Sequence, residues 1–530
     1  MNPSLEPLVF ISFLALLTSF LILIPKRLTI PKKIPSAVWL FIVVAVVIFE
    51  YILFTTPIVQ KQLLDFGVAT VVISPLTIAG ALAFLSALMV LQIPKWVMLA
   101  LIIPITFYVG ELAYYDATHI IGPVHDLLMG KLPLSSPSWY GLLPIVGLSI
   151  VFRIVPLTLV NLYIVIALIE TLGYILLYRF VLQLTKDLRW ANLSIGVVIL
   201  FHFLVQFGDR NYYLQSTFIR FGIWLPLAFA MLTNNRLAII GSLLLALFWT
   251  TDMGLYVVGA YIATLLITRK PVWPIVRIIV PAALLLLLFP NYWQFSLSYG
   301  QIPMFAKPIP LSPFPWLYLV IPVLSLFITR ESIVIFLSLL SLFMFTYFTG
   351  HSHLNALRII NVPLMILAMW WLKKIPQYII ALVLILPVAV WGNQAVSNLQ
   401  KGNVLTTMET IRRPSLTEYT IVGPTALEVK NRYQSVLTSG NFAVISPWDT
   451  YYLLIWNTTN KLGSNCLLCY WTPTMAKPLI ETAKTISVHY LFVDRERLGY
   501  EGRVSWIFDP IAKYYQFIER IGDLDVYERI

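Results

Sequence analysis

Tyr114-Tyr115-Asp116-Ala117-Thr118-His119-Ile120-Ile121-Gly122-Pro123-Val124-His125-Asp126 is a polar, acid-rich segment that follows directly on a long apolar run. The chain before it has the character of membrane anchor, and the chain after it returns polar residues to one side between further apolar runs. Of 530 residues, 59% are hydrophobic and 11% charged, and the mean hydropathy is +0.84, outside the balance of soluble domains. The fold class these values predict is a polytopic α-helical membrane protein.

Apolar runs near 7–25, 36–55, 67–92, 97–113, 157–183, 191–207, 217–233, 237–250, 254–268, 273–289, 313–328, 332–348, 359–372 and 377–394 each approach bilayer-spanning length. Several need flanking polar residues to snorkel, and together they predict about 14 transmembrane helices. Met1 to Pro7 lacks the basic start of a signal peptide, so the first run is expected to stay as a helix.

A net charge of +12 would suggest nucleic acid in a soluble protein, but in a membrane protein the placement of charge matters more than its sum. With the N-terminus outside, the inner turns collect Lys26, Arg27, Lys32, Lys33, Lys95, Lys186, Arg189, Arg236, Arg269, Lys270, Arg330, Lys373 and Lys374. The outer side collects Asp65, Glu111, Asp116, Asp126, Asp209 and Asp252. Polar chemistry therefore faces outward, and no nucleic-acid partner is expected.

Three regions follow: N-terminal transmembrane helices over 1–96, a transmembrane catalytic region over 97–394 with a large outer loop at 114–156, and an extracytoplasmic α/β domain over 395–530. Within the loop, Leu142 to Ile154 suits a juxtamembrane or partly inserted helix. In the tail, Phe442–Ser446, Val488–Asp494 and Leu524–Ile530 read as strands, with helical patterns at 448–457 and 473–485.

A carboxylate just outside a membrane is suited to deprotonating an acceptor hydroxyl or holding a divalent cation, because partial desolvation raises its basicity. Asp116 has that position; the plainer reading has it capping a helix or pairing with Arg153. Asp126 and Glu111 fit ordinary interfacial acids. Of six histidines, His119, His125, His351 and His353 fall in two outer loops, as metal or phosphate ligands or as ordinary loop residues. Arg153, Arg210, Arg220 and Arg358 lie on the side that the positive-inside rule depletes. They suit a phosphate through the planar guanidinium fork, or else pair with Asp116, Asp126 or Asp209, or snorkel to headgroups. Glu170 falls mid-helix, where it needs a buried partner. Cys466 and Cys469 allow a local disulfide, whereas a zinc site would require two further ligands that no spacing supplies. No Walker loop, dinucleotide fingerprint or Gly-x-Ser-x-Gly elbow is present.

Taken together, the Asp116 segment, Gly122-Pro123-x-x-Asp126, Trp139-Tyr140-Gly141, the later acid Asp209, the polar turn ending at Arg358 and the α/β tail resemble the GT-C superfamily of membrane glycosyltransferases. The resemblance runs from about residue 97 to the C-terminus. It implies Asp116 as base or metal-holding acid, Asp209 as a second acid, and Arg210, Arg220, Arg358 and His353 on the donor phosphate. His119, His125, Asp126 and Arg153 are secondary candidates. A divalent ion, magnesium or manganese, would sit at Asp116 and Asp209. The implied donor is a polyprenyl-phosphate sugar and the acceptor a glycan, lipid or protein, with inversion and a lipid phosphate leaving group, among the lipids of a bacterial or archaeal plasma membrane. A single Asp stands at 116 where the best-known members carry an adjacent acidic pair. The alternatives are a transporter or flippase of lipid-linked glycan, or a non-catalytic envelope-assembly scaffold.

Overall fold

The computed structural model describes residues 75–90, 93–107, 111–112, 114–138, 140–203, 211–212, 217–289, 292, 313–350, 360–374, 384, 388–389, 392, 414–470, 472–486, 488–494 and 501–530. It is mostly helical. Helices α1 (Pro75–Val90) and α2 (Lys95–Phe107) lead to the two-residue strand β1 (Glu111–Leu112), then to α3 (Tyr114–Leu128), α4 (Leu142–Phe152), α5 (Leu159–Thr185) and α6 (Leu188–Val198). Strand β2 (Asn211–Tyr212) pairs in parallel with β1. There follow α7 (Phe218–Phe221), α8 (Trp224–Thr233), α9 (Arg236–Trp249), α10 (Thr251–Ile267), α11 (Trp273–Leu285), α12 (Pro313–Ile328), α13 (Ser332–Gly350) and α14 (Val362–Leu372). The C-terminal part contains α15 (Pro414–Arg432), α16 (Gln434–Ser439), β3 (Phe442–Ile445), α17 (Asp449–Trp456), α18 (Pro473–Thr485), β4 (Tyr490–Asp494), α19 (Glu501–Phe508), β5 (Tyr515–Ile521) and β6 (Leu524–Arg529).

The expectation of about 14 spans is overturned. Among the described residues one helix, α5, is long and apolar enough to cross a membrane by length and composition. Hydropathy windows count apolar residues whether or not one helix carries them, and here turns interrupt the runs. The run at 217–233 divides at Gly222 into α7 and α8. Helix α8 ends at Asn234 in the left-handed conformation, and Asn235 then caps α9 by accepting from the Ala238 N–H at 3.1 Å. Their 10 and 14 residues reach only about 15 and 21 Å at the α-helical rise, short of a hydrocarbon core of about 30 Å. In contrast, α5 is opened by Thr158, whose side chain accepts from the Asn161 N–H, and runs unbroken for 27 residues to Lys186.

Within 114–156, the helix expected at 142–154 is α4, the breaker-rich stretch before it is a connection, and the segment at 114–128 is the helix α3. Pro and Gly breakers at 130–141 end the first helix, but Pro123 lies inside it.

Helix α5 packs against α2, α6, α7, α8 and α15, so it joins the helical body to the C-terminal part. That part is built on a four-stranded sheet of order β3-β4-β6-β5, in which β3 and β4 are parallel and the other pairs antiparallel. All four residues of β3 are buried, as is expected of a strand covered on both faces. Helix α17 and the turn Leu467–Cys469 rest on α3.

Gly141 fixes how the α3–α4 connection meets the helical body. Its φ is +69°, and a Cβ there would lie 1.9 Å from the Trp249 carbonyl oxygen. Gly141→Ala is therefore expected to lower stability by about 1–3 kcal/mol from backbone strain, with the clash in addition. Gly147→Ala, in α4 with open space around it, should be neutral or stabilising by up to about 1 kcal/mol. Thermal unfolding of the two purified variants checks both.

Candidate functional site

Asp116 lies in the first turn of α3 and is buried. Four side chains from other elements lie within electrostatic reach of it or of one another: Tyr140, Arg220 of α7, Asp252 of α10 and Tyr347 of α13. Arg220, 1% exposed, donates from Nη2 to Asp252 Oδ2 at 2.9 Å. Its guanidinium lies 5.1 Å from the Phe221 ring centre and 5.2 Å from that of Tyr347, so its cationic faces are covered by aromatic rings. Burial pushes the Tyr140 phenol well above its ordinary range, the Asp116 charge adds to that shift, and Arg220 opposes it. Tyr140 is thus neutral and can donate a hydrogen bond beside Asp116.

Helix α7 is one turn long and needs external support. Glu170 of α5 accepts the Phe218 N–H at its start, and Trp249 Nε1 donates to the Ile219 carbonyl at 2.6 Å. The mid-helix acid is therefore structural: it caps the turn that presents Arg220.

The other half of α3 lies under the C-terminal part. Gly122 permits the approach, since a Cβ there would lie 2.6 Å from Cys466 Cβ and 2.8 Å from the Asn465 carbonyl oxygen. Asp126 accepts from Lys131 Nζ and from Ser136 Oγ, each at 2.7 Å, and from the Asn465 backbone N–H. Asn460 N–H donates to Asn465 Oδ1 at 2.9 Å, which fixes that amide's orientation and turns its Nδ2 toward His125 Nδ1 at 3.1 Å. Nδ1 must then accept, so His125 is neutral with its proton on Nε2. Burial first, and the Lys131 charge second, push its pKa down to about 4. Asp449, at the start of α17, receives the Leu467 N–H on both carboxylate oxygens at 3.1 and 3.0 Å. Burial nonetheless pushes its pKa up to about 8, and the charge of Asp126 acts in the same direction.

His119 faces the turn carrying Cys466 and Cys469. The ligand atoms of these three buried residues lie within 4.8 Å of one another, so the group could hold a metal ion. The two cysteines are joined by a disulfide.

The structure thus brings Asp116 and Arg220 together and sends His119, His125 and Asp126 to the interface behind them. Arg153 is exposed at the end of α4 and makes no ion pair among the described residues, so the expected pairing with Asp116 is absent there. Asp126 pairs with Lys131 instead. Asp209, Arg210, His351, His353 and Arg358 lie outside the described residues. Tyr347, Lys131 and Asp449 escaped sequence reading. Asp252 was visible only as one more outer acid, because its partner Arg220 is 32 residues away and no local spacing encodes the pair. Tyr140 stood in the Trp139-Tyr140-Gly141 piece without an assigned role. No protein-family model, no curated protein and no solved structure matches this chain.

Two of the shifted groups at the interface, His125 and Asp449, act on stability with opposite sign. Asp449, raised from 3.8 to about 8, contributes stability that is present at low pH and lost as pH rises through about 8. His125, lowered from 6.5 to about 4, contributes stability that is present above 6.5 and lost as pH falls through about 4. Between about 4 and 6.5 the two oppose each other; above 6.5 Asp449 acts without His125. The thermal midpoint should therefore fall from pH 6.5 to 8, at up to about 1.4 kcal/mol per pH unit in stability, and Asp449→Asn should flatten that fall. An undiminished slope in the Asp449→Asn variant would contradict this assignment.

Proposed function

We propose that this chain is a glycosyltransferase that takes a sugar from a polyprenyl-phosphate carrier and transfers it to a hydroxyl of a glycan, lipid or protein. The observation that carries this reading is the gathering of the buried Asp116, Tyr140, Arg220 and Tyr347 with the partly buried Asp252 from five separated stretches of chain. In the reaction, the acceptor hydroxyl gives its proton to the Asp116 carboxylate as its oxygen bonds to the anomeric carbon. The bond from that carbon to the phosphate oxygen breaks, the phosphate keeps the electron pair, and the configuration inverts. Arg220 meets the charge developing on the leaving phosphate, with Asp252 holding the guanidinium in place. The neutral Tyr140 phenol orients the acceptor beside Asp116.

Support for a lipid-borne donor comes from the surface of α5. Leu168, Leu172 and Leu176, spaced one helical turn apart, are 48%, 60% and 41% exposed, a stripe suited to acyl chains at a membrane. The reading places the protein at the plasma membrane, with this site on the outer face. Of the two carboxylates expected to hold magnesium or manganese, Asp116 lies in the cluster and Asp209 lies outside the described residues, so no step is routed through a metal.

The test is consumption of radiolabelled polyprenyl-phosphate sugars by the purified chain in lipid. Asp116→Asn should reduce turnover about 100- to 10,000-fold, the range for loss of a general base. Arg220→Lys should lower turnover while retaining the charge, because Lys lacks the planar fork. Unchanged turnover in Asp116→Asn, or donor bound by wild type but never consumed, overturns the reading; in the second case transbilayer movement of the donor becomes the quantity to measure.

A further inference from the structure

Cys466 and Cys469 flank a tight turn in which the Cys469 N–H donates to the Cys466 carbonyl at 3.1 Å, with Cα atoms 5.3 Å apart. The Asp449 carboxylate holds the Leu467 N–H between them. The turn is therefore fixed by contacts other than the disulfide and keeps a reason to hold its shape when the sulfurs separate. His119 comes to it from a different part of the chain, on the face of α3 that Gly122 leaves open to Cys466. All three side chains are fully buried. A His119 ring nitrogen lies within 4.8 Å of both sulfurs, about an ångström beyond the S···N of about 3.6 Å in a tetrahedral zinc site, and the sulfurs, bonded to each other here, would part to the S···S of about 3.8 Å that such a site needs once reduced.

We propose that His119, Cys466 and Cys469 form a binding site for a thiophilic divalent cation of the zinc class, closed while the disulfide is intact and opened by its reduction. A dithiol reductant supplies two electrons and two protons. It becomes a disulfide as the Cys466–Cys469 bond breaks to two thiols. The cation then takes the place of the two thiol protons, which are released, and receives the lone pair of one His119 ring nitrogen. Soft sulfur donors select zinc over magnesium or manganese, so this site is separate in chemistry from any ion at Asp116. Three protein donors leave a fourth position to a non-protein ligand. Because His119 belongs to α3 and the cysteines to the C-terminal part, the bound cation ties the two together, which the disulfide, closed within its own turn, does not. The proposal stands whether or not the chain transfers sugars, and its readouts do not involve that activity.

The experiment uses the full-length chain, stripped of metal, in oxidised form and after phosphine reduction, titrated with cobalt(II) as a spectroscopic probe and then with zinc. The reduced wild type should bind one cobalt per chain with a thiolate-to-cobalt charge-transfer band, lose it to zinc, and show a raised thermal midpoint with zinc. The oxidised wild type should show neither change. His119→Gln, similar in volume, should weaken cobalt binding by more than about tenfold, the lower bound set by what loss of outer partners alone costs. His119→Cys should restore binding with a stronger thiolate band. A reduced wild type that binds no cobalt, equal binding by the oxidised chain, or affinity unchanged in His119→Gln would each overturn the proposal. The oxidised and reduced comparison needs no variant, so a folding defect at His119 leaves the test intact.

Discussion

Helix α3 carries Asp116, Thr118, His119, His125 and Asp126, and every one of them is buried. Taking such groups out of water costs several kcal/mol each unless partners replace the water, and that constraint governs what surrounds the helix. Asp126 is answered by Lys131, Ser136 and the Asn465 backbone, and His125 by an amide whose orientation a second backbone group fixes. Some of these partners follow α3 directly, at 131 and 136, and others lie more than 300 residues on, at 460 and 465. The C-terminal part is therefore a condition of burying α3, and α3 in turn sets where Asp116 sits.

Pro123 shows the same constraint acting on the backbone. It has no N–H, so the His119 carbonyl lacks its usual helical donor. Ser138 Oγ lies 3.5 Å from that oxygen, supplied by the connection that leads to Tyr140 and Gly141. The connection thus serves both halves of the site: it covers the gap left by Pro123 and brings the Tyr140 phenol to Asp116.

The legible part of this structure was local. Asp116 and Arg220 stood out because each broke a simple expectation, one as an acid after an apolar run and the other as a cation on a cation-poor side. The strands at 442–446, 488–494 and 524–530 were visible from their apolar runs and correspond to β3, β4 and β6. What could not be read was pairing at a distance. Neither Arg220 with Asp252 nor His119 with the two cysteines has a spacing that announces it, since each depends on which helix ends meet. The count of spans failed for a related reason: hydropathy reports that a residue is apolar, not whether its neighbours continue one helix. The run at 217–233 shows it: Gly222 ends a four-residue helix, and a separate ten-residue helix, Trp224–Thr233, carries the rest.

The surroundings of α3 also change along its length in a way that follows from its neighbours. At its start, Asp116 acts with Arg220 and Asp252 on the same phenol, Tyr347, and Arg220 is bound to Asp252. Three residues on, at His119, the surroundings become sulfur and imidazole, and beyond them lie a neutral histidine and an acid whose pKa has risen to about 8. The positive end of the helix dipole favours an acid at the position of Asp116, and near the other end the buried Asp126 is met by Lys131 at 2.7 Å. With its buried groups answered by neighbours along its length, a rigid helix holds Asp116 in a buried position at its start while the remainder stays packed against another part of the chain.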